Sequence, residues 1–112
     1  MRRFTTPITM APIRRGSTPS LLFKNPYSPE IIVGGYLTFS QRGAVVFDKK
    51  MPEEVQVLDG GLIVDLSQQE TLQFTTVDVL KVQARFLFPE GKSAASGVWH
   101  IPILDTLKGG EI

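Results

Sequence analysis

The stretch Val79-Leu80-Lys81-Val82-Gln83-Ala84-Arg85-Phe86-Leu87-Phe88 decides the fold class. Leu80, Val82, Ala84, Phe86 and Phe88 share one parity, and Lys81, Gln83 and Arg85 share the other. Successive side chains of a strand point to opposite faces, so this period of two predicts a long strand with one face buried.

The same reading extends outward. After Phe88, Pro89-Glu90-Gly91-Lys92 reads as a turn and Ser96 to Leu104 as the last strand. Trp99, Ile101 and Ile103 fall on one face of that strand, and Val98, His100 and Pro102 on the other. Pro102 has no amide to give to a ladder, which places it at an edge or a bulge. Before Val79, Ser67-Gln68-Gln69-Glu70 fits a capping box, predicting one or two helical turns. Leu72 and Phe74 then plug an open end of the core. Further upstream, Glu54 to Leu58 and Leu62 to Leu66 alternate about Asp59-Gly60, a strong signal for a type I′ hairpin. Tyr36 to Ser40 predicts a strand with Leu37 and Phe39 inward. It returns through Gln41-Arg42-Gly43 into Ala44 to Asp48, and Lys49 to Pro52 reads as the next turn. The pair Gly34-Gly35 suggests a bulge or sharp bend.

Five of the eight prolines fall within the first 29 residues. Proline fixes φ and removes a donor, so a long regular element is not expected there. Residues 1–19 read as an extended basic, proline-rich arm holding one short edge strand near Arg3 to Thr6, and Ser20 to Lys24 as a short strand with Leu21 and Phe23 on one face. The expected organisation is an arm (1–19), a β-sandwich domain (20–104) and a C-terminal tail (105–112). The predicted class is all-β: a small antiparallel β-sandwich of the immunoglobulin-like, Greek-key type, with about seven strands and one short helix. Phe39, Phe47, Leu62, Val64, Val82, Phe86 and Trp99 form its expected core.

A chain of 112 residues is one domain with room for a core. With no cysteine, nothing staples the fold and no thiolate metal site exists. The net charge of +1 hides an asymmetry, because Arg2, Arg3, Arg14, Arg15 and Lys24 all precede the first acid, Glu30. Two arginine pairs spaced by prolines make too thin a footprint for a nucleic-acid interface. The pattern instead suggests either an arm that docks on an acidic neighbour or a plain solvated tail; on the docking reading Arg2, Arg3, Arg14 and Arg15 are the candidate partner-binding residues. No apolar run reaches the roughly 20 residues of a membrane span. Thr5 to Ile13 lacks the apolar run of a secretory signal, which predicts a chain not secreted by a signal peptide.

No catalytic, metal or cofactor site is expected. His100 is the single histidine and lacks a nearby nucleophile or orienting carboxylate in sequence. Zinc would need further ligands from the scattered Asp48, Asp59, Asp65 and Asp105. Glu53-Glu54, read on a strand, point apart. Gly34-Gly35 and Gly60-Gly61 precede neither a helix nor a Gly-Lys-Ser/Thr, so they are not phosphate loops. Trp99, Tyr36 and Tyr27 are the aromatics that a sugar-binding sandwich would display, and a carbohydrate-binding module is the alternative reading.

Met1-Arg2-Arg3-Phe4-Thr5-Thr6-Pro7 resembles the start of a set of short proteins encoded among virion structural genes of Firmicutes phages and prophages. Tyr36-Leu37-Thr38-Phe39-Ser40-Gln41 with Gly43 and Val45-Val46 is similar to their first body hairpin. Ile63 to Phe74 resembles their strand and short helix, and Val82-Gln83-Ala84-Arg85 with Gly91-Lys92 their penultimate strand and turn. Residues 8–29 depart from the pattern in being longer and richer in proline. The resemblance implies a small β-sandwich acting through protein–protein contacts, as a tail, baseplate or assembly component. Its expected partners are other virion or assembly proteins, copies of itself among them. Its expected location is the bacterial host's cytoplasm during assembly and then the virion.

Overall fold

A computed structural model of the chain describes residues 8–112. Its strands, in chain order, are β1 (Ile8–Thr9), β2 (Ile13–Arg14), β3 (Ser20–Lys24), β4 (Gly34–Gln41), β5 (Ala44–Met51), β6 (Gln56–Leu58), β7 (Gly61–Asp65), β8 (Leu80–Leu87), β9 (Ser93–Ala95), β10 (Trp99–Ile101) and β11 (Ile103–Leu104). Among the described residues one short α-helix, α1 (Gln68–Leu72), lies between β7 and β8, and 3-10 turns cover Pro29–Ile31 and Pro89–Gly91. No helix of the described residues is long and apolar enough to cross a membrane.

The larger sheet has the order β1-β10-β8-β4-β5, with β9 continuing the β10 side of β8. The smaller sheet is β3-β7-β6. The chain changes sheets between β3 and β4, between β5 and β6, and between β7 and β8. These crossings make the two antiparallel sheets an immunoglobulin-like sandwich of Greek-key type. The arm adds parallel pairs to it: β1 runs parallel to β10 and β2 parallel to β11. The expected strand near Arg3 to Thr6 lies outside the described residues.

The alternation that predicted β8 is realised, with Leu80, Val82, Ala84 and Phe86 buried between the sheets. Phe39 of β4 packs on Phe47 of β5, and Phe74 stacks on both. Across the sandwich, the Phe23 and Trp99 rings sit 4.7 Å apart. Each such ring contributes about 1.5–3 kcal/mol by leaving water. With no cysteine, burial of this kind and the polar ties between segments hold the sheets together.

Several local expectations change. The type I′ hairpin joins β4 and β5, where Arg42 (φ 55°) and Gly43 (φ 76°) are both left-handed. The Arg42 amide donates to Asp78 Oδ2 at 2.7 Å, which fixes that turn to the α1–β8 loop. At Asp59-Gly60 only Gly60 has positive φ, so that turn is not type I′. Gly34-Gly35 does not bulge; β4 begins at Gly34 and keeps its register with β8 through both glycines. Gly35 is required because its φ is +147° and a Cβ there would lie 2.1 Å from the Arg85 carbonyl oxygen. The bulge is in β5, where the register passes from Phe39↔Phe47 to Ser40↔Val45 and leaves Val46 extra.

Lys49 to Met51 is strand, not turn. Lys49 points inward from β5 and is only 9% exposed. Its ammonium pairs with Glu70 of α1 and lies 5.8 Å from the Phe47 ring centre. Val55 is buried from the turn before β6 rather than from a strand. Glu53 and Glu54 sit in that turn and converge on Lys50: Glu53 pairs with its ammonium at 3.5 Å, and Glu54 Oε1 accepts its amide at 2.9 Å. Pro102 separates β10 from β11, splitting the expected last strand in two. Its carbonyl accepts the Ile13 amide at 3.0 Å.

The capping box forms as predicted. Ser67 Oγ accepts the Glu70 amide and Glu70 Oε1 accepts the Ser67 amide. Burial raises the Glu70 pKa. Hydrogen bonds from Lys49 and the Ser67 amide, with the attraction of the ammonium, outweigh it, and the carboxyl ends below its ordinary value. Phe74 is buried as expected, while Leu72 is only half-buried.

Candidate interaction surfaces

The groups named as possible ligands or catalysts are held apart. His100 is half-buried on β10, opposite Lys81 of β8. Asp48 accepts the Thr38 hydroxyl at 2.6 Å, Asp65 the Ser20 hydroxyl, and Asp105 the Arg15 guanidinium at 3.3 Å. Each carboxylate thus serves a different local contact. Among the described residues, no group of three His, Cys, Asp or Glu could hold a metal ion.

Of the four candidate arginines, Arg2 and Arg3 lie outside the described residues. Arg14 is exposed on β2 and donates to the Asp105 carbonyl at 3.0 Å. Arg15 turns back into the molecule. Its Nε donates to Phe74 O at 2.7 Å and its Nη2 to Leu72 O at 2.9 Å, closing the carbonyl end of α1. Buried Thr71 continues this anchor: its hydroxyl accepts the Gly16 amide at 2.9 Å and donates to Ser17 O at 2.8 Å. The tail joins the same cluster, because Ile112 N donates to Gln68 Oε1 at 2.9 Å. Residues 13–17 are therefore fastened to the helix and tail, and the guanidinium of Arg15 is already occupied. Sequence alone could not show this, since a surface-docking arginine and a helix-closing arginine read identically.

The outer face of the larger sheet carries a short aromatic and basic row. Tyr36 of β4 lies opposite Lys50 of β5 on one side and Arg85 of β8 on the other. Tyr36 is 49% exposed, and a shallow cleft of about 240 Å³ beside it is lined by Gly35, Arg85, Phe86, Leu87 and Ser93. Trp99 is 6% exposed and packs on Phe23, so its ring offers no platform to a sugar. That removes the residue on which the carbohydrate reading leaned most and leaves Tyr36 as the exposed aromatic.

The strand edges differ from one another in physical character. The β5 edge is blunted by the Val46 bulge, by inward Lys49 and by Lys50, which are devices that oppose pairing with another chain. β6 is only three residues long. β3, at the other edge of the smaller sheet, is five residues long and regular, with neither bulge nor proline nor inward charge. It pairs with β7 alone among the described residues. Leu66 N donates to Pro19 O at 3.0 Å and Asn25 N to Gly60 O at 3.1 Å. These bonds place residues 19, 21, 23 and 25 in the hydrogen-bonded pairs with β7, and so turn the N–H and C=O of Ser20, Leu22 and Lys24 to the open side. Leu22 is 61% exposed on the same stretch.

No protein-family profile matches the chain, and no curated protein matches it. A solved structure to which it is similar is the immunoglobulin-like domain of mouse leukocyte-associated immunoglobulin-like receptor 1, crystallised as a strand-swapped dimer. The identity is 8%, the match covers 93% of this chain and 98% of the other, and the TM-score is 0.48. The assignment of the sandwich rests on the strand order described above.

Proposed function

We propose that this chain is a non-catalytic protein–protein interaction module, a phage- or prophage-derived virion structural or adaptor protein that docks through an open sheet edge. The observation that carries the docking mode is β3: a five-residue regular edge with outward-facing peptide groups at the alternate residues Ser20, Leu22 and Lys24, and an exposed leucine. Such an edge is a template for strand addition, in which backbone hydrogen bonds supply affinity and alternate side chains supply register. The phage origin and the tail, baseplate or assembly role are supported by the sequence resemblance of the arm, first hairpin and capped helix. Arg2 and Arg3 remain the arm's candidates for contact with an acidic neighbour, whereas Arg15 has a role within the fold.

Leu22→Pro tests the proposal. The Leu22 amide points away from β7, so proline removes a donor that the fold does not use while blocking a partner strand. We expect the variant to keep its folded circular dichroism spectrum but to lose co-purification with the products of neighbouring virion genes. Undiminished co-purification would remove the edge as the docking site for those neighbours. Charge reversal at Arg2 and Arg3, leaving the anchored residues 13–17 intact, tests the arm separately.

A further inference from the structure

Resting on that reading of the β3 edge, we infer that the strand it accepts is β3 of a second copy, antiparallel and centred on Leu22. The outward positions Ser20, Leu22 and Lys24 are symmetric about Leu22. A two-fold axis there sets Leu22 opposite Leu22 of the other copy and Ser20 opposite the other copy's Lys24. Every outward N–H and C=O then finds a partner, each opposed pair exchanging both of its bonds. Pro19 and Pro26 bracket the stretch and limit the pairing to residues 20–24.

The side chains fit this register and no neighbouring one. On the outer face, the row through the axis reads Ile63, Leu22, then the other copy's Leu22 and Ile63, a continuous apolar stripe. Flanking it, the row reads Asp65, Ser20, then the other copy's Lys24 and Gly61. Ser20 is short and its hydroxyl already bonds Asp65. A lysine ammonium can therefore reach over it to that carboxylate. The symmetry repeats the pair on the other side, so opposite charges meet at both ends and the two lysines are kept apart. Shifting the register by two residues places Leu22 beside a lysine or a serine and breaks both ion pairs. The product is one continuous sheet, β6-β7-β3-β3-β7-β6, through both copies. The β5 edge, with its bulge and lysines, is unavailable for the same reaction.

Because the chain contains no cysteine, single substitutions report the register directly. Hydrogen-bonded antiparallel partners have Cα atoms about 5.5 Å apart, within the 4.4–6.8 Å that a disulfide spans. Leu22→Cys should therefore form a covalent dimer under mild oxidation roughly ten-fold faster than Ser20→Cys or Lys24→Cys, whose like positions are offset by about 13 Å along the strands. A mixture of Ser20→Cys and Lys24→Cys chains should cross-link between the two variants, giving a readout that does not depend on any change at Leu22. Equal slow rates for all variants, with no preference in the mixture, would overturn the inference. If those rates are equal while Leu22→Pro still abolishes co-purification with virion neighbours, the edge docks a different protein. If Leu22→Cys dimerises as expected while co-purification survives Leu22→Pro, self-pairing stands and the virion neighbours dock elsewhere than on this edge.

Discussion

Replacing Arg15 by alanine should destabilise the protein more than replacing Arg14, the other charge among the described residues of the arm. The guanidinium makes two bonds to helix-end carbonyls, Phe74 O at 2.7 Å and Leu72 O at 2.9 Å, in a part-buried setting. A bond from a charged donor contributes about 1.5–3 kcal/mol, and water entering the vacated space recovers part of that. The contact with Asp105 at 3.3 Å is exposed and adds little. The net loss should be about 2–3 kcal/mol. With a urea slope near 1.5 kcal/mol per molar, the midpoint should fall by roughly 1.3–2 M at unchanged slope. Lysine, a point charge without the planar fork, should restore no more than about half of the loss. Arg14→Ala, which gives up one exposed bond, should cost under about 0.5 kcal/mol. Equal effects at Arg14 and Arg15, or a loss below about 0.5 kcal/mol at Arg15, would refute the anchoring role and return both residues to the surface.

Gln41 is 5% exposed; its amide group donates to Thr75 O and Asp78 O, and its carbonyl accepts the Thr75 amide. Gln41→Leu should therefore cost about 2–4 kcal/mol by chemical denaturation, because three partners lose their bonds together. Gly35→Ala should cost about 3 kcal/mol or more, since the backbone is left-handed and the new methyl meets the Arg85 carbonyl; a melting temperature close to wild type would contradict the strand approach. Glu70 has a folded pKa below its unfolded value, so its contribution is complete above the unfolded pKa and is lost as pH falls through the folded one. Glu70→Gln should flatten the acid side of the stability–pH curve by less than about 1 kcal/mol, the pair being part-exposed. An unchanged acid limb would show that the carboxylate is not engaged.

The parts of the fold written in short-range pattern were legible from sequence. The parity of Leu80 to Phe88 and of Leu37 and Phe39 fixed two central strands, and Ser67 with Glu70 fixed the helix start, because each signal lies within its own element. What escaped depends on partners far along the chain. Lys49 read as a turn residue because its charge is neutralised by Glu70 of α1, which no local window contains. The arm strands pair parallel with β10 and β11 at the opposite end of the sequence, so nothing near Ile8 or Ile13 announces them. The bonds of Arg15 to Leu72 O and Phe74 O escaped for the same reason, since those carbonyls lie far along the chain. Val46 gave no bulge signal, whereas Gly35 mimicked one while serving a close strand approach. The open β3 edge was invisible in principle, since an edge is defined by what fails to pair. Its strand, Ser20 to Lys24, was nevertheless predicted with the correct buried face.

Amide hydrogen exchange along β3, followed as protein concentration rises, tests the open edge and its self-pairing most directly. Leu21 and Phe23 donate inward to β7 and should be protected at every concentration. Ser20, Leu22 and Lys24 should exchange fast in dilute solution and become protected together as copies pair. Fast exchange of those three at all concentrations would contradict the account, and so would protection that is already present in dilute monomer.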